Sequence, residues 1–456
     1  MTRQSSEPSM LKDVAPRRPK SQPTDHQLTV HTSLLFDSKH KKFASETSIV
    51  IDTETGLITK VFKRDRQLPS HNVSSSNTID LRGFTVLPGL VDAHTHIFLH
   101  PETPSLNQER DESFVERIVR ATNHVKVALD AGYTTYRDLG TEGLKDADVH
   151  FRDTINRGII PGPRMFVATE CITSSGGYEI RQENGMPGGT TVPRISDPAE
   201  GVDGVRAAVR RRLGAGADIV KFYADYRKRV LRFPPPVWPG AKEIMFPPSS
   251  NLFTGARNPN LLQFTQEEMN EMVAEARRGK APIVAHAQAP EAVIMAAKAG
   301  VTSIEHGYMP SGEALQAMKE NNTIFVPTLS VFDSEIRGKG GKDSERTFRA
   351  ILDHTKAAYD QGIKLACGGD TGAIAHGDNA REIELMVEAG IPILDVLQAA
   401  TLHGWESCGG DLCSRRFGLV EEGWAADLIA LDGNPTEDIG AMRKVKFVMK
   451  DGQVYK

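Results

Sequence analysis

Residues 85–97 read TVLPGLVDAHTHI, and this stretch indicates both the fold class and the chemistry that the chain can support. An apolar run ends in Asp92-Ala93-His94-Thr95-His96. Side chains of a strand alternate between its two faces, so His94 and His96 point to the same side and can bind one ion. A His-x-His pair alone is modest evidence, because two such histidines can also be ordinary polar residues.

Short apolar strands alternate with helical patterns through the middle of the chain. The helical patterns include a capping box of Thr265 and Glu268, a helix over 291–299 that stops at Gly300, and a helix over 312–320. The eight predicted strands are Thr85–Ile97, Thr134–Leu139, Met165–Ala168, Ile219–Tyr223, Ile283–His286, Ser303–His306, Thr323–Pro327 and Ile363–Gly369. This alternation predicts an α/β fold, a (β/α)8 TIM barrel rather than a doubly wound sheet.

Both ends of the chain are rich in β-prone runs, in contrast to its middle. LTVHTSLLF at 28–36 and SIVIDTETGLITKVF at 48–62 lie near the start, and ADLIAL at 426–431 and VKFVM at 445–449 lie near the end. Neither piece can bury a face alone, so we expect both to pair in a small β-sandwich domain. The predicted organisation is a disordered tail over 1–26, β-sandwich segments at 27–86 and 414–456, and a barrel over 87–413.

One segment interrupts the alternation after the fourth predicted strand. Residues 227–260 contain a cluster of prolines between 234 and 247, together with Trp238, Phe246 and Phe253. Loops that follow barrel strands surround the active site, and long loops in compact domains are often functional lids. We therefore predict a lid-like insertion that lines a pocket.

Composition and charge exclude several classes of protein. The chain of 456 residues has 55 Lys plus Arg and 59 Asp plus Glu, a formal net charge of −4, which offers no electrostatic basis for binding nucleic acid or an anionic membrane surface. No apolar run approaches the ~18 residues that span a bilayer, and the polar start lacks the apolar core of a signal peptide. The four cysteines are too few and too scattered for a disulfide scaffold or a Cys-type zinc site, so we predict a cytoplasmic protein.

Three further polar side chains stand at the ends of predicted strands. His286 closes PIVAH, His306 closes TSIEH and Asp370 closes KLACGGD. One such histidine is usually a packed core residue, but these would converge with His94 and His96 at one mouth of a barrel. A carboxylate at an apolar strand end needs a partner, because burying a lone charge is costly, and a divalent cation is such a partner.

Lys221 ends the fourth predicted strand, DIVK, in the same ring of side chains. An ammonium group would repel a metal ion, whereas the carbamate that lysine forms with CO₂ is an anion whose two oxygens can bridge two ions. The alternative is a plain salt bridge from Lys221 to Asp370 or Glu305. The residues alone leave both alternatives open.

Together these motifs resemble the amidohydrolase superfamily, in the expected order and over nearly the whole chain. The motifs that carry the resemblance are VLPGLVDAHTH (86–96), DIVKFYADY (218–226), IVAHAQ (283–288), SIEHGY (303–308), CGGDTG (367–372) and GLVEEGWAADLIALDGNP (418–435). AGYTTYRDLG (131–140) and GIIPGPRMFVA (158–168) are similar to the imidazolonepropionase-like branch, which holds Xaa-Pro and Xaa-Arg dipeptidases and ochratoxinase.

The resemblance implies a binuclear metal site, most often of zinc, in which a bridging hydroxide attacks the substrate. The six implied ligands are His94, His96 and Asp370 at the more buried ion, His286 and His306 at the more exposed ion, and carboxylated Lys221 as the bridge between them. Metal binding lowers the pKa of water to ~7, so hydroxide is available at neutral pH. Asp370 would take the proton from the hydroxide and pass it to the leaving amine.

The sequence departs from this branch in two loops that bear on the substrate. The branch typically has a histidine after the third strand that holds the substrate carbonyl, whereas SSGGY at 174–178 places Tyr178 there. A phenol can also donate a hydrogen bond, so Tyr178 is predicted to assist catalysis. After the bridging lysine, YADYR at 223–227 replaces a short Ser-Gly-Gly. The predicted substrate contacts are Tyr178, Tyr223, Tyr226, Arg227 and His376.

Plain structural roles are alternatives for several of these side chains. Arg227 either clamps a substrate carboxylate or is an exposed loop cation. His376 either faces the pocket or is a solvated loop residue. Arg137, in TTYRDLG, is expected to pair with Asp138, and His403 is expected to belong to a helix.

Three hypotheses from different classes follow. The first is a metal-dependent amidohydrolase that cleaves an amide or peptide-like C–N bond of a small molecule. The second is a decarboxylase, dehydratase or isomerase of the same fold that acts on a small carboxylic acid. The third, a non-catalytic assembly protein, is disfavoured because such relatives lose metal ligands and all six are present here. We expect a homo-oligomer with a small-molecule substrate and neither a nucleic-acid nor a membrane partner.

Overall fold

The computed structural model of this chain describes residues 26–65, 77–102, 111–177, 195–228 and 260–456, without the side chains of residues 227, 228 and 260. The predicted tail apart from His26, and residues 229–259 of the predicted lid, lie outside the described residues. The strands are β1 (Gln27–Asp37), β2 (Lys42–Asp52), β3 (Leu57–Lys63), β4 (Thr78–Pro88), β5 (Leu90–Thr95), β6 (Tyr133–Asp138), β7 (Arg164–Val167), β8 (Cys171–Thr173), β9 (Ser196–Pro198), β10 (Val220–Tyr223), β11 (Asp225–Lys228), β12 (Asn260–Leu262), β13 (Ile283–Ala287), β14 (Ser303–His306), β15 (Ile324–Val326), β16 (Leu428–Leu431), β17 (Val445–Lys450) and β18 (Gln453–Val454).

Helices follow most of the central strands. The α-helices are α1 (Phe114–Asp130), α2 (Ala147–Asn156), α3 (Gly201–Gly214), α4 (Gln266–Arg278), α5 (Pro290–Ala299), α6 (Gly312–Glu320), α7 (Leu329–Glu335), α8 (Lys342–Asp360), α9 (Ala380–Glu388), α10 (Ile393–Ala399) and α11 (Leu402–Ser407). Short 3-10 helices lie at Arg337–Lys339, Gly410–Cys413 and Ile439–Arg443. No helix among the described residues has the length and apolar character needed to cross a bilayer.

Both chain ends meet in one seven-stranded sheet, as their β-rich composition predicts. The strand order is β18-β17-β16-β4-β1-β2-β3, with β4 parallel to β1 and antiparallel to β16. Strands from the end of the chain therefore continue a sheet that begins at its start. Val30, Ile49, Ile51, Leu428 and Met449 belong to one buried apolar cluster. This cluster combines residues from both ends, so each end covers apolar surface that the other could not bury alone.

The first predicted strand, Thr85–Ile97, is divided between two sheets. Its first part ends β4 in the seven-stranded sheet, and its second part is β5, which pairs in parallel with β6. Gly89 separates the two, and a Cβ atom at this position would lie 2.1 Å from Oγ1 of Thr134. A side chain at position 89 would therefore block the close approach of β5 to β6.

The central strands form two parallel sheets, with the orders β5-β6-β7 and β15-β14-β13-β10-β8-β9. The backbone N–H groups of Asp218 and Ile219 both donate to the carbonyl oxygen of Val167, so the two sheets are also joined beside β7. This arrangement directs the carboxyl ends of the parallel strands to one side of the molecule.

The eighth predicted strand, Ile363–Gly369, is not a regular strand in the structure. Leu365 forms a single parallel bridge with Phe325 of β15. On the opposite edge, the backbone N–H of Ala93 donates to the carbonyl oxygen of Cys367. The segment is therefore bonded to β15 and to β5, although its own hydrogen bonding is too sparse for a continuous ladder.

The three helices predicted by pattern are confirmed with small shifts at their ends. The side chain of Thr265 accepts from the backbone N–H of Glu268, and the Glu268 carboxylate accepts from that of Thr265, which completes the predicted capping box of α4. Helix α5 ends at Gly300, whose φ of 88° is left-handed. Met269 and Met272 of α4 are buried in the main apolar core, as their helical spacing indicates.

Candidate metal centre

The six predicted ligands lie on different elements but line one cavity of about 560 Å³. Four of them are on strands and two follow strand ends: His94 (β5), Lys221 (β10), His286 (β13), His306 (β14), His96 after β5, and Asp370 after the segment that bridges to β15. Residues up to 276 positions apart, His94 and Asp370 (370 − 94 = 276), meet here because parallel strands direct their carboxyl ends to the same side.

His94, His96 and Asp370 form the tightest group. One ligand atom from each lies within 4.8 Å of the other two. Oδ1 of Asp370 is 3.4 Å from Nε2 of His96 and 3.6 Å from Nε2 of His94. Ligand atoms held tetrahedrally at ~2.1 Å from a zinc ion stand ~3.4 Å apart, so these separations suit a common ion.

His286 and His306 lie next to this group, with the ring of His306 between those of His94 and His286 in the order of contacts. The ring centroid of His306 lies 4.8 Å from that of His94 and 4.5 Å from that of His286. Nδ1 of His306 is 2.9 Å from Oγ1 of Thr328 and 4.0 Å from Oδ2 of Asp370. The two oxygens of Asp370 therefore face different histidines.

These histidines have the protonation state that a metal ligand needs. Burial lowers the pKa of His94, His286 and His306 well below the ordinary value, and neighbouring histidines or Lys221 lower it further. Nε2 of His94 and Nε2 of His286 are buried, and neither has a hydrogen-bond partner among the described residues. An unpaired polar atom in the interior is costly, and a neutral imidazole nitrogen is the commonest metal ligand in proteins. The residues present therefore fit a divalent cation.

Lys221 is buried in the same cavity, with 1% of its surface exposed. Burial lowers the pKa of its amine, so a larger fraction is uncharged at a given pH than for an exposed lysine. The sequence left open a salt bridge from Lys221 to Glu305 or to Asp370. In the structure Glu305 instead pairs with Arg137 and contacts His94. Neither Glu305 nor Asp370 forms an ion pair with Lys221 within 4.0 Å in the described part of the chain.

Two of the ligand positions have an unusual backbone conformation. His306 and Asp370 have φ values of 72° and 57°, in the left-handed region that residues other than glycine rarely adopt. Such strain concentrates at functional sites, where the surrounding structure enforces it. Beside Asp370, a Cβ atom on Gly368 would lie 2.7 Å from the backbone nitrogen of His94. The CGGDTG motif therefore needs a glycine at position 368, because a larger residue there would keep Asp370 from approaching the strand of His94.

Asp92, to which the sequence assigned no role, ties the two ligand-bearing segments together. Its Oδ1 accepts from the backbone N–H groups of His94 at 3.0 Å and Gly369 at 3.3 Å. Its Oδ2 accepts from the hydroxyl of Thr371 at 2.8 Å and the amide of Asn379 at 2.6 Å. The available signal was its position in the same motif, two residues before His94.

Asp92→Asn is expected to lower the free energy of unfolding by about 1–3 kcal/mol, because one of its acceptor oxygens becomes a donor facing other donors. Denaturant unfolding of the wild type and the variant measures this difference. Asp80→Asn, at a partly exposed carboxylate of β4 that binds Arg82, is the control and should change stability by less than about 0.5 kcal/mol. Equal losses in both variants would contradict the role assigned to Asp92.

The predicted tyrosine contacts are partly within the described residues. Tyr223 and Tyr226 line the cavity. Their ring centroids lie 4.9 Å and 5.3 Å from that of His286. Tyr178 and the side chain of Arg227 lie outside the described residues. The structure therefore brings Tyr223 and Tyr226 to the candidate ligands.

His376 is not among the residues that line the cavity. Its ring stacks on that of His124 with centroids 4.2 Å apart, and its Nε2 lies 3.3 Å from the carbonyl oxygen of Leu99. The structure thus places the predicted substrate contact His376 against the backbone of Leu99, outside the set of residues that line the cavity. His403 lies in α11, as expected, with Nδ1 2.9 Å from the carbonyl oxygen of Leu365.

Further side chains that the sequence did not indicate also line the cavity. They include Leu99, together with Phe332 and Glu335 of α7. Glu142 lines it too, with Oε1 3.4 Å from Nδ1 of His96 and with Oε2 buried and unpaired within the described residues. These residues lie in loops and a short helix without a recognisable pattern, so their position after predicted strands was the only signal.

Comparisons with known proteins bear on the family and the fold of this chain. The model of the amidohydrolase family matches residues 85–455. Ochratoxinase from Aspergillus niger is 29% identical over 401 residues, which cover 81% of this chain and 75% of the relative. An uncharacterised protein of Mycobacterium tuberculosis, Rv2915c, is 22% identical over 407 residues, which cover 86% of this chain and 90% of the relative.

Solved structures with similar folds include two named hydrolases. A Xaa-Pro dipeptidase with methionine bound in its active site is 32% identical and superposes with a TM-score of 0.76, covering 94% of this chain and 100% of that one. Aspergillus niger ochratoxinase is 25% identical with a TM-score of 0.75, covering 94% and 96% of the two chains. The likeness indicates a TIM-barrel-like α/β fold over most of the described residues.

Proposed function

This chain belongs to the amidohydrolase family, and we propose that it hydrolyses an amide bond of a small molecule in the cavity of the six predicted ligands. The observation that carries the proposal is a pair of buried imidazole nitrogens, Nε2 of His94 and Nε2 of His286, that lack partners among the described residues. They lie in the same cavity as Asp370 and Lys221. The similarity to a named ochratoxinase and a named Xaa-Pro dipeptidase supports an amide-like bond as the target.

We propose that two divalent ions, most readily zinc, bind there. The proposed ligands are His94, His96 and Asp370 for one ion, His286 and His306 for the other, and carboxylated Lys221 between them. When bound, such ions supply hydroxide at neutral pH and polarise the carbonyl group of the substrate. Imidazole nitrogen and carboxylate oxygen suit zinc but also other divalent ions, so the donor set supports the class of ion more strongly than its identity.

The protein supplies proton transfer through Asp370. Burial raises the pKa of this carboxyl group above its ordinary value, in the direction of neutral pH. A group whose pKa is nearer the working pH exchanges protons more effectively. Asp370 would accept the proton of the attacking water and return it to the leaving nitrogen.

Tyr223 and Tyr226 would bind the substrate beside His286. Burial raises the pKa of Tyr223 well above its ordinary value, so its phenol stays protonated and can donate to a substrate oxygen. Leu99 and Phe332 contribute apolar surface to the lining of the same cavity. Tyr178 is proposed as a further donor in the same role.

We also propose the domain organisation expected from the sequence. A (β/α)8 barrel over 87–413 is supported by the backbone hydrogen bonds that join the 363–369 segment to β15 and β5. For the proposed small β-sandwich of 27–86 and 414–456, the shared sheet of both chain ends supports their pairing in one domain. A cytoplasmic location is supported by the four free cysteines. A homo-oligomer is proposed as well, and light scattering of the purified protein tests it.

Metal analysis tests the proposed centre directly. Protein purified without chelator is expected to contain close to two divalent ions per chain, because two sets of ligands surround the cavity. Elemental analysis measures the content before and after dialysis against a chelator, and release of the amine from a panel of N-acyl amino acids measures turnover. Chelation should remove both the ions and the turnover, and added zinc should restore them.

The same experiment separates the competing hypotheses. CO₂ release from aromatic acids without amine release would favour the non-hydrolytic alternative. A protein that holds no metal and whose amine release is unaffected by chelator would contradict the proposed centre.

A further inference from the structure

We propose that the buried Arg137–Glu305 ion pair is a positioning device for His94. Glu305 holds the His94 ring so that Nε2 is presented to a metal ion, and Arg137 holds Glu305. The inference rests on the proposed function, since it requires metal at this site, but it concerns two residues that are not ligands. The sequence analysis paired Arg137 with Asp138 and considered Glu305 only as a partner of Lys221.

Glu305 fixes the tautomer of His94. Its carboxylate is fully buried, and Oε2 lies 2.9 Å from Nδ1 of His94. A carboxylate only accepts hydrogen bonds, so Nδ1 carries the proton, and in the neutral ring Nε2 then keeps the lone pair. That Nε2 is the buried atom without a partner in the described part of the chain, 3.6 Å from Oδ1 of Asp370. The hydrogen bond therefore sets both the orientation and the chemical character of the ligand atom.

Arg137 fixes Glu305 and the strand of His94 at once. Its guanidinium is fully buried, and Nη2 donates to Oε1 of Glu305 at 2.7 Å. Its Nε donates at 2.5 Å to the carbonyl oxygen of Ala93, which is the residue next to His94. Its Nη1 donates at 2.9 Å both to the hydroxyl of Ser303 and to the carbonyl oxygen of Ser407. One side chain on β6 thus joins β5, β14 and α11 beneath the candidate metal centre.

Stability alone does not account for this pair. Burying two charges costs solvation energy, and apolar replacements of similar size are often neutral or stabilising. Carboxylate partners of metal-bound histidines orient the ring and raise its basicity, and their loss typically weakens metal binding 10–100-fold. Because Glu305 contacts His94 directly, the pair is placed to serve metal binding.

Cobalt titration of the purified, metal-free full chain tests the inference. Cobalt absorbs visible light when bound, so each equivalent is read as a spectrum without any assay of turnover. The main variant is Arg137→Met/Glu305→Leu, which removes both charges together and avoids a lone buried charge. We expect a 10–100-fold weaker affinity for one cobalt equivalent, the one whose ligands include His94, and a smaller change for the other.

Three comparison variants separate positioning from general structure. Arg137→Lys keeps the carboxylate and a cation, so it should keep most of the cobalt affinity. Glu382→Gln alters another buried carboxylate, whose partners are Leu329 and Ser330 rather than a histidine, and should bind cobalt like the wild type. If the double variant does not fold, Glu305→Gln replaces it, because it keeps the shape but loses the charge and replaces one acceptor oxygen with a donor, and the same weakening is expected.

The outcomes are distinguishable. Wild-type cobalt affinity in a folded double variant, or in folded Glu305→Gln, would overturn the positioning role and leave the proposed function standing. A wild type that binds no cobalt would overturn the proposed function and this inference with it. A weakening of the same size in Glu382→Gln would show that any buried carboxylate has this effect, and would also overturn the positioning role.

Discussion

Asp370→Asn is expected to lower kcat for amide hydrolysis by about 10²–10⁴-fold, the usual contribution of a positioned acid–base group. The amide has the shape of the carboxyl group but cannot accept a proton and return it. Asp370 is the acid that stands between Nε2 of His96, 3.4 Å away, and Nδ1 of His306, 4.0 Å away. Its replacement therefore removes the proposed proton carrier at the centre of the cavity.

The metal content of Asp370→Asn shows whether the variant has lost only proton transfer or has also lost metal binding. The asparagine oxygen can still be a ligand, so much of the metal should remain bound while turnover is lost. Asp148→Asn is a matched control, because this buried carboxyl binds the backbone of Thr169 and Val149 and has a pKa raised by burial to about 7. The control should keep both metal and kcat. Undiminished kcat in Asp370→Asn would remove Asp370 as the proton carrier.

The candidate ligands could be predicted from the sequence because their positions follow from strand geometry. His94 and His96 share a face by the period of two, and His286 and His306 close short apolar strands whose ends must meet in a parallel arrangement. The capping box at Thr265 was equally predictable, since it depends on residues three positions apart. Local spacing was sufficient for the capping box, whereas for the ligands it only gave candidates, and the resemblance of the motifs to the amidohydrolase superfamily implied the full set.

The supporting network could not be predicted, because its partners are distant in the sequence. Arg137 was paired with its neighbour Asp138, but its carboxylate partner Glu305 is 168 positions away. Sequence alone gives no measure of which strands face each other across the interior, and this decides the partner. Charged residues next to a ligand motif, such as Asp92 and Glu305, are the signal that could have been used.

The boundaries of the sheets were also beyond sequence patterns. Residues 85–91 read TVLPGLV and are mostly apolar through the end of β4 and the start of β5, so hydropathy alone does not indicate that the two strands belong to different sheets. The close approach of Gly89 to Thr134, where β4 ends and β5 begins, is a tertiary contact that hydropathy does not indicate. Short strands such as β8 (Cys171–Thr173) and β9 (Ser196–Pro198) were missed because three residues carry too little pattern.

Lys221→Ala is expected to remove both metal ions and to reduce turnover by at least about 100-fold. Loss of a residue that only hydrogen-bonds a metal ligand already lowers metal affinity or activity 10–100-fold, and Lys221 is proposed as a ligand itself. The side chain is buried in the cavity, and its lowered pKa leaves more of the amine free to add to CO₂. The reaction joins the amine nitrogen to carbon and releases one proton, which produces the anionic carbamate. Alanine supplies neither the anion nor its two oxygens.

Short carboxylic acids should partly restore the Lys221→Ala variant, because acetate or propionate can occupy the vacated space with two oxygens. Elemental analysis and amine release, each with and without added acid, measure the recovery. Lys450→Met is the matched control: Lys450 is also buried, with a pKa lowered by burial to about 8, but it donates to the carbonyl oxygen of Gly162, and neither residue lines the cavity. The control should keep metal and turnover. Full metal content in Lys221→Ala would show that the four histidines and Asp370 suffice, and the bridging role of Lys221 would then be wrong.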